Sequence, residues 1–147
     1  MIDDAISRLK THLKDVPERF SKFTEEEVST PPAPGKWSKK EILGHLIDSA
    51  CNNHSRFVKS MFEDEPIKLV KYAQDDWVNI QNYRDEDTIT ILDLWKSYNT
   101  HILHIFTVFP KDKLDVKWDI NGEMFTAEWL ITDYVDHMEH HLNQIFK

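Results

Sequence analysis

Four segments of the sequence repeat apolar residues at alternating intervals of three and four positions, and this periodicity restricts the chain to a mainly helical fold. The first segment carries Ile2, Ile6, Leu9, Leu13, Val16, Phe20 and Phe23. The chain also has only three glycines among 147 residues, too few for the many tight turns of an all-β protein. The sequence therefore predicts an all-α fold in which four long helices turn their apolar faces inward as a four-helix bundle.

Local signals mark the ends of the first two predicted helices. Pro17 interrupts the first periodic segment and predicts a kink or a break there. Residues 29–35 contain three prolines and form a rigid connector that cannot be helical. Ser38 then begins the second helix as its N-cap, because Glu41 stands three positions later in the pattern of a capping box. This helix is expected to extend to about Phe62.

The middle of the chain contains a long connection, a third helix and a hairpin. Residues 63–86 show no clean period, and a connection of this length is typical of a crossover rather than of a short bundle loop. The third helix begins near residues 88–90 and ends before Pro110. Its predicted inward residues are Ile91, Leu94, Trp95, Tyr98, Ile102, Ile105 and Phe109. Residues 116–125 alternate apolar and polar side chains around an Asn-Gly pair, which predicts a small β-hairpin before the fourth helix.

Length, charge and cysteine content limit the class of protein. A chain of this length can bury a sufficient core, so we expect a single domain over residues 1–147. The net charge of −8 argues against nucleic acid or an anionic membrane as the main partner and favours a neutral or cationic small molecule. Cys51, the only cysteine, excludes an internal disulfide and is expected to be a small buried residue rather than a nucleophile. Because the sequence also has no signal-peptide pattern and no membrane-spanning apolar run, we expect a cytoplasmic protein.

The predicted fourth helix, residues 126–147, carries three histidines near its end. His137 and His141 are four positions apart and stack on one helical face, whereas His140 points about a quarter turn away. Two imidazoles at this spacing can share one metal ion, but a divalent site requires at least three protein ligands. The third ligand must come from another part of the chain.

Helical periodicity alone does not select the third ligand. The candidates are His12, His45, His54, His101 and His104. His54 lies on the apolar stripe of the second helix, where a core histidine with a hydrogen-bonding partner is the more frequent role. His45 heads a polar stripe of the same helix, which taken alone predicts a solvated face. His101 lies at the edge of the third helix's apolar stripe and His104 points outward, while His12 belongs to the polar face of the first helix.

Two motifs at opposite ends of the chain resemble the DinB-like, or YfiT-like, superfamily of four-helix metalloproteins. Residues 34–50 read PGKWSKKEILGHLIDSA, similar to the entry of the family's second helix, where a tryptophan and a helix cap precede His-Leu. Residues 137–145 read HMEHHLNQI, similar to the family's His-x-x-x-His shortly before Gln-Ile. The resemblance follows the element order of nearly the whole chain. It implies an up-down-down-up bundle, a homodimer, and a metal site formed by His45, His137 and His141.

The implied metal site is expected to lie in a cleft rather than deep in the core. His45 lies on the polar flank of its helix, and His137 and His141 lie at one margin of the apolar arc of theirs. A catalytic ion needs such an open position for substrate. Asp48 and Asp133 are placed where a carboxylate could accept the second ring N–H of a ligand, although a solvated helix carboxylate is the more frequent role for each.

Three histidine ligands indicate the chemistry only in outline. Neutral imidazoles suit zinc, nickel, iron or copper and do not choose among them. Near such an ion, water acidifies toward a pKa of about 7 and a thiol binds as its thiolate. The resemblance implies either transfer of a low-molecular-weight thiol, such as bacillithiol, to a small electrophile or metal-dependent hydrolysis. The alternative is a non-catalytic metal-binding or ligand-sensing dimeric bundle with a role in stress.

Overall fold

The computed structural model describes every residue from Met1 to Lys147 and contains six α-helices and one small sheet. The helices are α1 (Asp3–Phe20), α2 (Glu25–Ser29), α3 (Lys39–Ser60), α4 (Gln74–Gln81), α5 (Thr88–Val108) and α6 (Ala127–Ile145). The strands are β1 (Ile67–Lys68), β2 (Lys117–Ile120) and β3 (Glu123–Thr126). Single turns of 3-10 helix occupy Tyr83–Asp85 and Lys111–Lys113.

The four long helices α1, α3, α5 and α6 form the predicted four-helix bundle in its up-down-down-up order. Helix α3 packs against α5 and α6, and α1 packs against the same two helices. Apolar side chains from these helices and from the sheet meet in one continuous core. None of the helices combines the length and the apolar character that crossing a membrane requires.

The predicted start of α3 is confirmed in atomic detail. The Ser38 hydroxyl accepts a hydrogen bond from the Glu41 backbone N–H at 3.2 Å, and the Glu41 carboxylate accepts one from the Ser38 backbone N–H at 3.0 Å. A second capping box, formed by Thr24 and Glu27, begins the short helix α2. Periodicity did not predict α2, because five residues are too few to display a helical repeat.

Helix α1 continues through Pro17 to Phe20, so the predicted break is wrong. Proline lacks a backbone N–H, and in a helix this removes one hydrogen bond to the carbonyl four positions earlier. Pro17 lies in the last turn, where its own carbonyl still accepts a bond from the Ser21 N–H at 3.1 Å. The helix therefore loses a single bond close to the end and stops one turn later.

The predicted hairpin is confirmed as β2 and β3. Its two-residue turn places Asn121 at φ 54° and Gly122 at φ 88°, the left-handed region that asparagine and glycine adopt most easily. The sheet has a third member that the sequence did not reveal, because β1 is only two residues long. It pairs in parallel with β2, with Ile67 opposite Trp118. The long connection between α3 and α5 therefore carries both β1 and α4.

Two residues predicted to be buried are exposed instead. Leu94 was expected on the inward face of α5, but it is 44% exposed. Its neighbour Trp95 takes the central inward position, and adjacent residues on a helix point about 100° apart. Cys51 is exposed for the same reason, because the residue before it, Ala50, is fully buried.

Candidate metal centre

The bundle brings together three histidines that are far apart in the sequence. His45 of α3 meets His137 and His141 of α6, and one ring nitrogen from each lies within 4.8 Å of the other two. The Nε2 atoms of His45 and His137 are 3.3 Å apart. Around a tetrahedral ion with metal–nitrogen bonds of about 2.1 Å, neighbouring donor atoms are about 3.4 Å apart. The His45–His137 spacing therefore matches two donor atoms on one divalent ion, and the His141 nitrogen lies within 4.8 Å of both.

His45 is fully buried, so the solvated face predicted for its polar stripe is wrong. The long connection between α3 and α5 covers this stripe. Asp48 Oδ1 accepts hydrogen bonds from the Tyr83 hydroxyl at 2.7 Å and from Gln81 Nε2 at 2.8 Å. The Tyr83 ring also packs directly over Gly44, where any side chain would overlap it. Helical periodicity could not anticipate this cover because it comes from a segment without a period.

An aromatic side chain closes one side of the histidine cluster. Trp37 directly precedes the N-cap of α3, and its ring lies 4.9 Å from the His45 ring and 6.4 Å from the His141 ring, between centroids. The capping box of α3 therefore positions both His45 and the tryptophan that shields it. Shielding from water strengthens electrostatic interactions at the site.

Burial keeps the cluster histidines neutral. It lowers the pKa of His45 to about 3, with smaller contributions from the nearby His141 and His137. Burial likewise lowers the pKa of His137 to about 4, and it lowers the pKa of His141. Only a neutral imidazole has a lone pair for a metal ion. At neutral pH all three rings are thus in the form that can act as ligands.

One hydrogen bond orients a ring of the cluster. His141 Nδ1 lies 2.9 Å from Gln144 Oε1, an acceptor, so this nitrogen carries the proton and Nε2 is left for the centre of the cluster. Helical periodicity and the histidine motif did not predict this role of Gln144. The available signal was its spacing, since a residue three positions after His141 lies on the same helical face.

The two carboxylates considered for this orienting role do not perform it in the structure. Asp48 bonds to Tyr83 and Gln81 through Oδ1, while its Oδ2 and the Nδ1 of His45 are both buried without a hydrogen-bond partner. Asp133 forms no hydrogen bond with His137 and instead lines a neighbouring cavity. Burial raises the pKa of both carboxyl groups.

The other histidines lie outside the cluster. His54 Nδ1 is 2.9 Å from the Tyr98 hydroxyl, which confirms the predicted hydrogen-bonding partner, but the side chain is half-buried and not part of the core. His12 Nε2 is 2.8 Å from a Glu139 carboxylate oxygen. The three remaining rings, His101, His104 and His140, are exposed.

The sequence over most of its length matches one known family. A family model of the DinB superfamily covers residues 8–145. The chain belongs to the DinB superfamily. The predicted resemblance is thereby confirmed, and it extends from α1 to the end of α6.

Relatives within the DinB superfamily share about a quarter of their residues with this chain. A protein of Oceanobacillus iheyensis named "putative metal-dependent hydrolase" is 25% identical over 146 residues, which covers 98% of this chain and 83% of the relative. YfiT of Bacillus subtilis, which has the same description, is 26% identical over 140 residues, or 90% of this chain and 78% of YfiT.

Solved structures confirm the DinB fold. The structure of Bacillus subtilis YfiT, described as a probable metal-dependent hydrolase with an unusual four-helix bundle topology, superimposes with a TM-score of 0.86 at 21% identity. The match covers 97% of this chain and 82% of YfiT. A DinB-like protein of the same organism, YjoA, matches with a TM-score of 0.68 at 19% identity over 98% of this chain and 87% of YjoA.

Two cavities adjoin the histidine cluster of this DinB protein on different sides. The His137 cavity has a volume of about 300 Å³ and lies between α3 and α6, with Asp133 as its only carboxylate. The His141 cavity has a volume of about 740 Å³ and is bordered by Trp37, Gln144 and the proline-rich connector before α3. Small molecules can therefore approach the cluster from two directions.

Proposed function

We propose that this chain is a metal-dependent hydrolase of small molecules whose divalent ion is held by His45, His137 and His141. The observation that carries the proposal is the convergence of three neutral imidazoles, each with a ring nitrogen within 4.8 Å of the other two. The hydrolase names of its DinB relatives support the choice of reaction. Three ligands would leave a fourth position open for water or substrate, as in catalytic rather than structural zinc sites.

When bound, a divalent ion at such a site lowers the pKa of water toward about 7 and polarises a substrate carbonyl. The chain's own residues supply position and proton handling. Gln144 holds the His141 ring in one tautomer, and Trp37 shields the cluster from solvent. Asp133 is the only carboxylate of the His137 cavity and is therefore the residue that would take up a proton during hydrolysis.

A thiol transferase is the second candidate, and the paired cavities favour it. A reaction of a thiol with an electrophile needs room for two molecules beside one site, and the His137 and His141 cavities provide two such spaces. A low-molecular-weight thiol, such as bacillithiol, would enter one cavity and the electrophile the other. A hydrolase needs only one of them for its organic substrate.

Metal binding is tested first with matched histidine variants. His137→Ala should abolish binding of zinc or nickel, measured by elemental analysis after dialysis, while circular dichroism shows retained helicity. His140→Ala is the control, because His140 is exposed and lies outside the cluster. Full metal content in the His137 variant would overturn the proposed site.

The reaction is tested by comparing metal-loaded and metal-stripped protein on a panel of esters and amides, with and without added thiols. Metal-dependent cleavage without a thiol is expected. Turnover of an electrophile only in the presence of a thiol would replace the hydrolase with the transferase. If neither reaction occurs and removal of the ion unfolds the chain, the ion is structural and the bundle is non-catalytic.

A further inference from the structure

The His137 cavity carries positive charge in an otherwise acidic protein. Its lining has two positively charged residues, Arg56 and Lys71, and one negatively charged residue, Asp133, whereas the whole chain has a net charge of −8. His137 also lines the cavity, but its ring is neutral because burial lowers its pKa. The cavity thus has a net positive lining within a chain that repels anions at long range.

Arg56 has hydrogen-bonding capacity that the protein does not use. Its Nη1 donates to Asn53 Oδ1 at 3.3 Å and its Nη2 donates to the Val70 carbonyl at 3.0 Å. These two bonds use two of the five N–H donors of a guanidinium. Both acceptors are neutral, and no carboxylate lies within ion-pair distance of Arg56.

A partly buried guanidinium without an anion is costly, since burial removes water that the charge would otherwise retain. Burial lowers the pKa of Arg56, and the charge of Asp133 in the same cavity offsets only part of this effect. Tyr72 stands beside it in the cavity lining, and its hydroxyl makes no hydrogen bond to the protein. Arg56 and Tyr72 thus both line this cavity, and both have donor capacity that hydrogen bonds within the protein do not use.

The position of Arg56 relates this space to the histidine cluster. Asn53 follows His45 by eight residues, about 12 Å along the axis of α3. The bond from Arg56 to Asn53 folds the guanidinium back toward the cluster. Arg56 and His137 both line the cavity, so a ligand bound to Arg56 occupies the same space as one ring of the cluster.

Apolar side chains also line the cavity. They are Leu69, Ile120, Trp129 and Leu130. At about 300 Å³ the cavity lies at the small end of the range for small-molecule pockets. Its occupant must accordingly be small, apolar along one side and anionic at one end.

We infer that the His137 cavity binds a small organic carboxylate, with the carboxylate on Arg56 and Tyr72 and the apolar body against Trp129 and Leu130. The planar guanidinium fork matches the two oxygens of a carboxylate, and the Tyr72 hydroxyl adds a third donor. This inference deepens the proposed function by giving the substrate class, and its catalytic meaning rests on that function. The binding itself requires no metal.

The test uses metal-free protein and two probes of matched shape, phenylbutanoate and its neutral amide, phenylbutanamide. Binding is followed by two-dimensional NMR of the five tryptophan indole N–H groups. Phenylbutanoate should shift the signal of Trp129, which lines the cavity, and leave that of the fully buried Trp95 unchanged. It should bind at least about tenfold more tightly than the amide, because a charge-assisted bond is lost in the amide.

Variants assign the binding to named side chains. Arg56→Gln should weaken phenylbutanoate binding on the order of tenfold to a hundredfold. Arg56→Lys keeps the charge but loses the fork, so it should restore only part of the affinity. Tyr72→Phe removes one hydroxyl and should weaken binding by about threefold to tenfold. Arg19→Gln is the control, since Arg19 packs over the Phe146 ring outside the cavity.

Equal affinity for the acid and the amide would overturn the inference, as would unchanged affinity in Arg56→Lys and Tyr72→Phe. Tighter binding of inorganic phosphate than of phenylbutanoate would also overturn it, because the assigned ligand is an organic carboxylate. If Arg56→Gln fails to fold, the comparison of the acid with the amide and the Tyr72→Phe variant still test whether the cavity binds a carboxylate. Metal and phenylbutanoate titrations of the unsubstituted protein separate the two proposals: metal binding without selective carboxylate binding contradicts only this inference, and selective carboxylate binding without metal binding contradicts only the metal site.

Discussion

Replacing Gln144 with alanine should weaken metal binding without removing a ligand. Gln144 Oε1 accepts the Nδ1–H of His141 at 2.9 Å and so presents the Nε2 of that ring to the cluster. Loss of such an orienting partner typically costs tenfold to a hundredfold in metal affinity. Gln144 is exposed, and water can replace part of its bond, so we expect a loss of about tenfold, or about 1.4 kcal/mol.

The affinity of Gln144→Ala is measured by competition for zinc with a fluorescent chelator at neutral pH. Gln144→Glu is the conservative variant, and it should keep or raise the affinity because a carboxylate also accepts from the ring N–H. His104→Ala is the control, because His104 is an exposed histidine of α5 that lies outside the cluster and contacts His101 instead. An unchanged affinity in Gln144→Ala would refute the argument that this residue sets the tautomer of His141.

Three further outcomes follow from the structure. Folding lowers the pKa of His45 from about 6.5 to about 3 and that of His137 from about 6.5 to about 4, so in metal-free protein the unfolded state binds protons at a higher pH than the folded state. The contribution of these two histidines to the free energy of unfolding is therefore complete above about pH 6.5 and is lost as the pH falls toward 4. A denaturant midpoint that stays constant from about pH 7 to about pH 4.5 would contradict this. Gly44→Ala should lower the free energy of unfolding by about 1–3 kcal/mol because its methyl group meets the Tyr83 ring, whereas Ser55→Ala at an exposed position of α3 should change it little; equal midpoints would show that the ring moves aside freely. Cys51→Ser should leave metal binding and any hydrolysis unchanged, since Cys51 lines neither cavity, and loss of either property would give this thiol a role.

Local sequence signals predicted the structural features that depend on interactions between residues close together in the sequence. The capping box at Ser38 fixed the start of α3, and the Asn-Gly pair fixed the turn between β2 and β3. The spacing of His137 and His141 placed both on one face of α6. Each of these depends on interactions within a few residues, so the sequence alone was sufficient to predict them.

Features created by packing between distant segments could not be predicted in this way. His45 belongs to a stripe that is polar by composition, and only the cover provided by Tyr83 and its neighbours makes that stripe an interior surface. The selection of His45 came from family resemblance, and the convergence of the three rings became visible only in the folded bundle. Strand β1 was missed for a related reason, because two residues become a strand only beside β2.

X-ray absorption spectroscopy at the metal edge of the zinc- or nickel-loaded protein is the most direct test of the proposed metal centre. We predict one ion per chain with three imidazole nitrogens, at about 2.0–2.1 Å if the ion is zinc, and an additional light-atom ligand in the open position. His137→Ala should lose this signature while the His140→Ala control keeps it. A spectrum without imidazole scattering, or the same spectrum from both variants, would contradict coordination by His45, His137 and His141.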